Sequence, residues 1–149
     1  MNVAVVGGHS CSEEIYRLAC ELGRLIAEEG WILVCGGKEG VMEAACKGAK
    51  QALGTTVGIL PSCDFQEANP YVDIKIPTGL GYARNSLVVR AAEAVIAVSG
   101  KEGTLSEIAF ALSEKKPVVG LKTWDIPGVE KVNTPQEAIS LVKKRLNVK

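Results

Sequence analysis

The residues able to do chemistry gather in a few short, glycine-bearing segments. The richest is Ser99-Gly100-Lys101-Glu102-Gly103-Thr104-Leu105-Ser106-Glu107, which combines two glycines, hydroxyls, a cation and carboxylates between two apolar runs. Comparable turns stand at Gly7-Gly8, Gly36-Gly37 and Gly79-Leu80-Gly81. Glycine lets backbone N–H groups approach a ligand with no side chain in the way. A helix beginning behind such a turn adds unpaired donors and a dipole that favours an anion. Four such turns in one chain point to a bound phosphate or pyrophosphate. Neither G-x-G-x-x-G nor a Walker A motif occurs, which disfavours a standard dinucleotide site and a P-loop.

Particular side chains admit two readings each. Thr104 and Glu107 fit a T-x-x-E capping box that ties off a helix start. Equally, the Gly103 and Thr104 N–H groups and the Thr104 hydroxyl fit a phosphate, with Glu107 projecting over the ligand. Arg84, beside Gly81, is placed to clamp a phosphate in a fork geometry, or to sit in a solvated ion pair. Asn85, Ser10 and Lys38 can reach the same crevice, and Asn69 and Tyr71 can border it from the loop 61–70.

Composition narrows the alternatives. Lys+Arg and Asp+Glu both number 17, so no broad basic face for nucleic acid is expected. A single histidine, His9, leaves little from which to build a zinc site or a Ser-His-Asp triad. The five cysteines are an odd number with no C-x-x-C pair, which reads as free thiols in a reduced compartment. No apolar run approaches the ~18 residues of a membrane span. With a strand starting at Asn2 there is no room for a signal peptide, and a cytoplasmic address is expected.

Alternating strand and helix patterns must position these groups. Strands are expected at residues 3–6, 31–35, 56–60, 71–76, 94–98 and 117–121, the segment 94–98 being apolar throughout. Helices are expected after a Ser10-Cys11-Ser12-Glu13 capping box, over 40–53, over 82–92, from the Gly103 turn to about residue 114, and after Thr134-Pro135-Gln136-Glu137. In the second helix Val41, Ala45, Gly48 and Ala52 are expected to face the sheet. The pattern predicts one Rossmann-like α/β domain over residues 1–149, a doubly wound, mostly parallel sheet between two helical layers. The helix containing Leu105, Ile108, Ala109, Phe110, Ala111 and Leu112 is apolar almost all round, as is the run Leu87-Val88-Val89. Such helices need cover, and a homodimer or larger assembly is expected.

Gly36-Gly37, Gly40-Val41-Met42-Glu43-Ala44-Ala45, Arg84 and the G-T-x-x-E of Gly103 to Glu107 together resemble the LOG family, often labelled "possible lysine decarboxylase". Glu67-Ala68-Asn69-Pro70-Tyr71-Val72-Asp73-Ile74, with Pro77 to Gly81 and Ala83-Arg84-Asn85, resembles its molybdenum-cofactor-carrier-like branch. The resemblance implies a phosphate-bearing nucleotide- or pterin-like ligand, with no other cofactor required. For the enzymes of the family it implies phosphoribohydrolase chemistry on a nucleoside 5′-monophosphate, with Arg84 and Glu107 in the catalytic positions and Gly103 and Thr104 on the phosphate. Three positions depart from the family signature P-G-G-x-G-T-x-x-E and its neighbourhood: Ser99 replaces the proline, Lys101 the second glycine, and Asn85 a lysine. A decarboxylase is not expected, since nothing suggests a Schiff-base lysine with a pyridinium partner. The expectation is a binding or carrier protein. The alternatives are a phosphoribohydrolase or a dimeric scaffold with an empty site.

Overall fold

A computed structural model describes residues 1–149. The elements in chain order are β1 (Asn2–Gly7), α1 (Glu13–Glu28), β2 (Ile32–Cys35), α2 (Val41–Gln51), β3 (Thr56–Leu60), β4 (Ile74–Pro77), α3 (Asn85–Arg90), β5 (Ala94–Val98), α4 (Glu102–Ser113), β6 (Val118–Leu121), β7 (Val129–Val132) and α5 (Pro135–Leu146). Short 3₁₀ turns at Phe65–Glu67 and Gly81–Arg84 flank β4.

The seven strands form one sheet in the order β4-β3-β2-β1-β5-β6-β7, and every neighbouring pair is parallel. The winding reverses between β1 and β5. In such sheets the crevice at the carboxyl ends of those two strands is where ligands bind. Alternation along the strands feeds two cores. Val3, Val5, Leu33 and Ile96 pack beneath α1, α2 and α5 in a cluster of 24 buried residues. Ala4, Val6, Val34 and Val95 pack beneath α3 and α4 in a cluster of 12. The doubly wound α/β fold is therefore as the sequence pattern predicts.

Several local expectations need correction. Ser12, not Ser10, caps α1: its hydroxyl accepts from the Ile15 N–H at 3.2 Å, while Glu13 turns outward to pair with Arg17. Of the residues expected to face α2 toward the sheet, Gly48 meets α1 instead. A Cβ on Gly48 would lie 1.7 Å from the Cys20 carbonyl oxygen, and one on Gly23 would lie 1.9 Å from that of Ala45. The expected helix 82–92 is split, with a 3₁₀ turn handing over to α3 at Asn85. β7 lies in a stretch expected to be irregular, because Val129-Glu130-Lys131-Val132 is too short and too charged to read as a strand. The α5 start is as expected: Thr134 accepts from the Glu137 N–H, Pro135 opens the helix, and Glu137 takes the Asn133 N–H.

Candidate functional site

At the sheet reversal, β1 delivers Gly7-Gly8 and β5 delivers Ser99-Gly100. These glycines are required by close approach. A Cβ on Gly7 would lie 2.5 Å from Val41 Cγ1, and one on Gly100 would lie 2.0 Å from Thr104 Oγ1. Ser99 and Gly100 both adopt positive φ, 50° and 91°, which bends the chain sharply into α4. The bend is held from outside. Thr123 Oγ1 donates to the Ser99 carbonyl at 2.7 Å, and Trp124 Nε1 donates to the Lys101 carbonyl at 3.0 Å.

The bend settles one pair of readings. Lys101 occupies the N-cap position and α4 starts at Glu102, so Thr104 and Glu107 are not a capping box. Thr104 is buried with its hydroxyl against Gly100, and Glu107 is buried a turn later. Gly103 is exposed, and a Cβ there would make only an ordinary contact, 3.9 Å from Asn85 Nδ2. The first N–H groups of a helix have no intrahelical acceptor, so this end of α4 presents donors to the crevice. Lys101 is solvent-exposed rather than packed into it. Ser10 is also exposed, two residues past Gly8 at the same edge.

Arg84 reaches the same region from the 3₁₀ turn that Gly81 opens at φ 59°. It is 8% exposed, which removes the solvated ion pair as its role. Its Nη1 donates to Asn85 Oδ1 and its Nη2 to the Gly36 carbonyl at 3.5 Å. A Cβ on Gly36 would lie 2.7 Å from Arg84 Nη2, so a side chain there would displace the guanidinium. Asn85 Nδ2 in turn donates to Ser106 Oγ at 3.2 Å, and Ser106 Oγ to the Gly103 carbonyl at 2.6 Å. A hydrogen-bonded chain thus ties the β2 turn through Arg84 and Asn85 to the first turn of α4. Ser106, a link in that chain, has no signal in the sequence beyond its place between Thr104 and Glu107.

Electrostatics at this edge are unusual. Burial pushes the Glu107 carboxyl up to about 8, against the opposing pull of the Arg84 cation; Cys35 adds a smaller upward push. Burial also lowers Arg84, while Glu107, Cys35, Glu67 and Tyr82 act to hold its charge. A guanidinium nevertheless stays protonated in proteins. Two buried side-chain atoms have no hydrogen-bond partner, Arg84 Nε and Glu67 Oε1. An unmet buried donor or acceptor costs about 1–3 kcal/mol, more when charged, so both are held in place by the surrounding fold. Beneath the β2 turn, Cys35 Sγ accepts from the Gly37 N–H at 3.3 Å and lies 3.5 Å from Cys46 Sγ. All five cysteines are free.

Other residues proposed from sequence sit further out. Asn69 spends its polar atoms on the protein: N donates to the Gly37 carbonyl, Nδ2 to the Lys38 carbonyl, and Oδ1 accepts from the Tyr71 N–H. It fastens the loop 61–70 to the β2 turn instead of facing outward. Tyr71 is half-buried against the larger core. Gly79 is exposed at the outer side of β3, where its φ of 68° serves a turn beside Cys63. Surface concavities elsewhere are less telling. A groove of about 440 Å³ on α5 is shallow and lined by Val132, Gln136, Glu137, Ser140, Leu141 and Lys144. Neither unpartnered buried atom belongs to it.

The model of the SLOG cluster4 family matches residues 1–147. The chain belongs to that family. A protein of Archaeoglobus fulgidus described as uncharacterized is 46% identical over 141 residues, covering 94% of this chain and 93% of that one. Among solved structures, the molybdenum cofactor carrier protein of Chlamydomonas reinhardtii superposes with a TM-score of 0.89 at 40% identity, covering 98% of both chains. The cytokinin riboside 5′-monophosphate phosphoribohydrolase of Mycobacterium tuberculosis is 32% identical over 120 residues, which span 74% of this chain and 64% of that enzyme. This SLOG cluster4 member therefore stands nearer in extent and identity to the carrier than to the hydrolase, and the LOG-type kinship read from sequence is correct.

Proposed function

We propose that this chain binds a phosphate-bearing small molecule of pterin or nucleotide type at the β1/β5 edge, as a carrier and not as a catalyst. The observation that carries the reading is Arg84: a buried cation with an unpaired Nε, braced by hydrogen bonds between the β2 turn and the first turn of α4. The donors at Gly103 and Thr104 receive the phosphate, with Lys101 adding charge from the rim. The ligand body then lies across Gly8 toward Gly36 and Arg84. The similarity to the carrier protein, over nearly the whole of both chains, supports the same reading.

Phosphoribohydrolase action is the second reading, favoured by the presence of both Arg84 and Glu107 and by the relative from M. tuberculosis. Cleavage of an N-glycosidic bond passes through an oxocarbenium-like state that a carboxylate anion stabilises, as in glycoside hydrolysis. Glu107, raised to about 8, is mostly neutral at pH 7 and supplies little of that stabilisation. Incubation with AMP, following both heat of binding and release of free adenine, separates the readings. The carrier reading expects binding without adenine release. Release abolished in both Glu107→Gln and Arg84→Ala would establish the hydrolase instead, and the rate would then rise with pH through about 8. We further propose that the protein works as a homodimer or larger assembly in the cytoplasm, with α3 and α4 as the contact.

A further inference from the structure

Two sulfur atoms meet beneath the turn that Arg84 grips. Cys35 closes β2, Cys46 faces it from α2, and both are fully buried. Their Sγ atoms lie 3.5 Å apart, and Cys35 Sγ also accepts from the Gly37 N–H at 3.3 Å. Gly36, between Cys35 and Gly37, lends its carbonyl to Arg84 Nη2. We propose that Cys35 and Cys46 are an oxidative modification site, a dithiol that a small peroxide converts to a disulfide, and that its closure moves the Gly36-Gly37 turn and loosens Arg84. The consequence for binding rests on the reading of Arg84 as a ligand-site residue.

The contact singles out this pair, since Cys20 reaches Gln51 instead and Cys63 is exposed. A hydrogen bond from Cys46, the Gly37 N–H and the Arg84 cation hold the Cys35 thiol below its ordinary range against the push of burial; Cys46 is raised by giving that bond and by burial. Cys35 is therefore the attacking sulfur. Its thiolate takes one oxygen of hydrogen peroxide as the O–O bond breaks, giving a sulfenic acid, and the released hydroxide leaves as water with the thiol's proton. Cys46 then gives up its own proton, its sulfur attacks that of Cys35, and the oxygen leaves as a second water. Burial excludes bulky disulfide oxidants, and a peroxide is small enough to enter when the turn opens. An S–S bond of about 2.05 Å requires sulfurs now 3.5 Å apart to close by about 1.5 Å. Helix α2 cannot supply that movement, because Gly48 and Gly23 hold its backbone against α1. The end of β2 gives instead, and the Gly36 carbonyl is drawn away from Arg84.

Treatment of the full chain with hydrogen peroxide, then alkylation in denaturant and peptide mass mapping, tests the site without any ligand. We expect a Cys35–Cys46 linkage, with the loss of two hydrogens from the chain, reversed by dithiothreitol. Both residues alkylated under treatment that oxidises the exposed Cys63 overturns the proposal, and so does linkage of other cysteines in their place. Cys46→Ser should strand Cys35 as a sulfenic acid that dimedone captures; should it fail to fold, Cys46→Ala carries the same comparison. The link to Arg84 is read in ¹H–¹⁵N spectra, where the Gly37 amide and the Arg84 Nε–H should shift on oxidation and return on reduction. An unmoved Arg84 signal overturns that link. AMP should bind the oxidised chain about tenfold more weakly, the worth of one hydrogen bond to a charged group. Equal affinity in the two forms overturns the effect on the site. A chain that forms the linkage and moves Arg84, yet binds AMP in neither form, would contradict the ligand reading alone.

Discussion

Glu107 sits on the inner face of α4, where burial outweighs the Arg84 cation and leaves its carboxyl largely protonated at neutral pH. Its folded value lies above the ordinary carboxylate value, so between the two the folded chain binds more protons than the unfolded one. Stability from this group is therefore complete below the ordinary value and is lost as pH rises toward about 8 and beyond. Thermal melts should show Glu107→Gln gaining on the wild type between about pH 5 and about pH 9, with little difference at the acid end. A constant gap across that range would refute the assignment. The type and place of Arg84, Thr104 and Glu107 were legible as sequence. What they touch was not, because Arg84 meets Gly36 across 48 residues and Asn85 meets Ser106 across 21.

At the scale of elements, glycine does two different jobs. At Gly100 it permits a positive φ beside Thr104; at Gly23 and Gly48 it lets α1 and α2 cross with their backbones nearly touching. Overfilling such a contact forces backbone shifts, so Gly48→Ala should cost about 1–3 kcal/mol in a urea titration. Gly81→Ala should cost less, since nothing stands within 4 Å of its missing Cβ and only the φ of 59° opposes it. A second device is Lys116, whose Nζ donates to the carbonyls of Val89, Arg90 and Ala92 at 2.7, 3.3 and 2.8 Å. It closes the end of the short α3, and Lys116→Met should lower stability by about 1–3 kcal/mol, chiefly by stranding the Ala92 carbonyl. Two of the three capping boxes read from sequence misplaced their helix start, while Thr134 to Glu137 placed it correctly. Ser-x-x-Glu and Thr-x-x-Glu fix a spacing, whereas the helix start is chosen by the preceding turn, and positive φ at Ser99 and Gly100 moved it three residues earlier than the motif implied.

For the whole molecule, periodicity and strand–helix alternation gave the doubly wound sheet, and the reversal at β1/β5 placed the crevice. The two faces are covered unequally. The α3/α4 side buries half as many residues as the other, and Phe110 remains 39% exposed on α4. If a second copy covers this face, Phe110→Glu should convert the assembly to monomers in light scattering, with the circular dichroism of the fold unchanged. A wild-type monomer would contradict that. Arg84 and the start of α4 are proposed to hold a phosphate-bearing small molecule. Native mass spectrometry of freshly purified chain, followed by phosphorus analysis of what is released, tests it most directly. A retained phosphorus-containing species in the wild type that is lost in Arg84→Ala is the predicted result; no such species, or equal retention in Arg84→Ala, would contradict it.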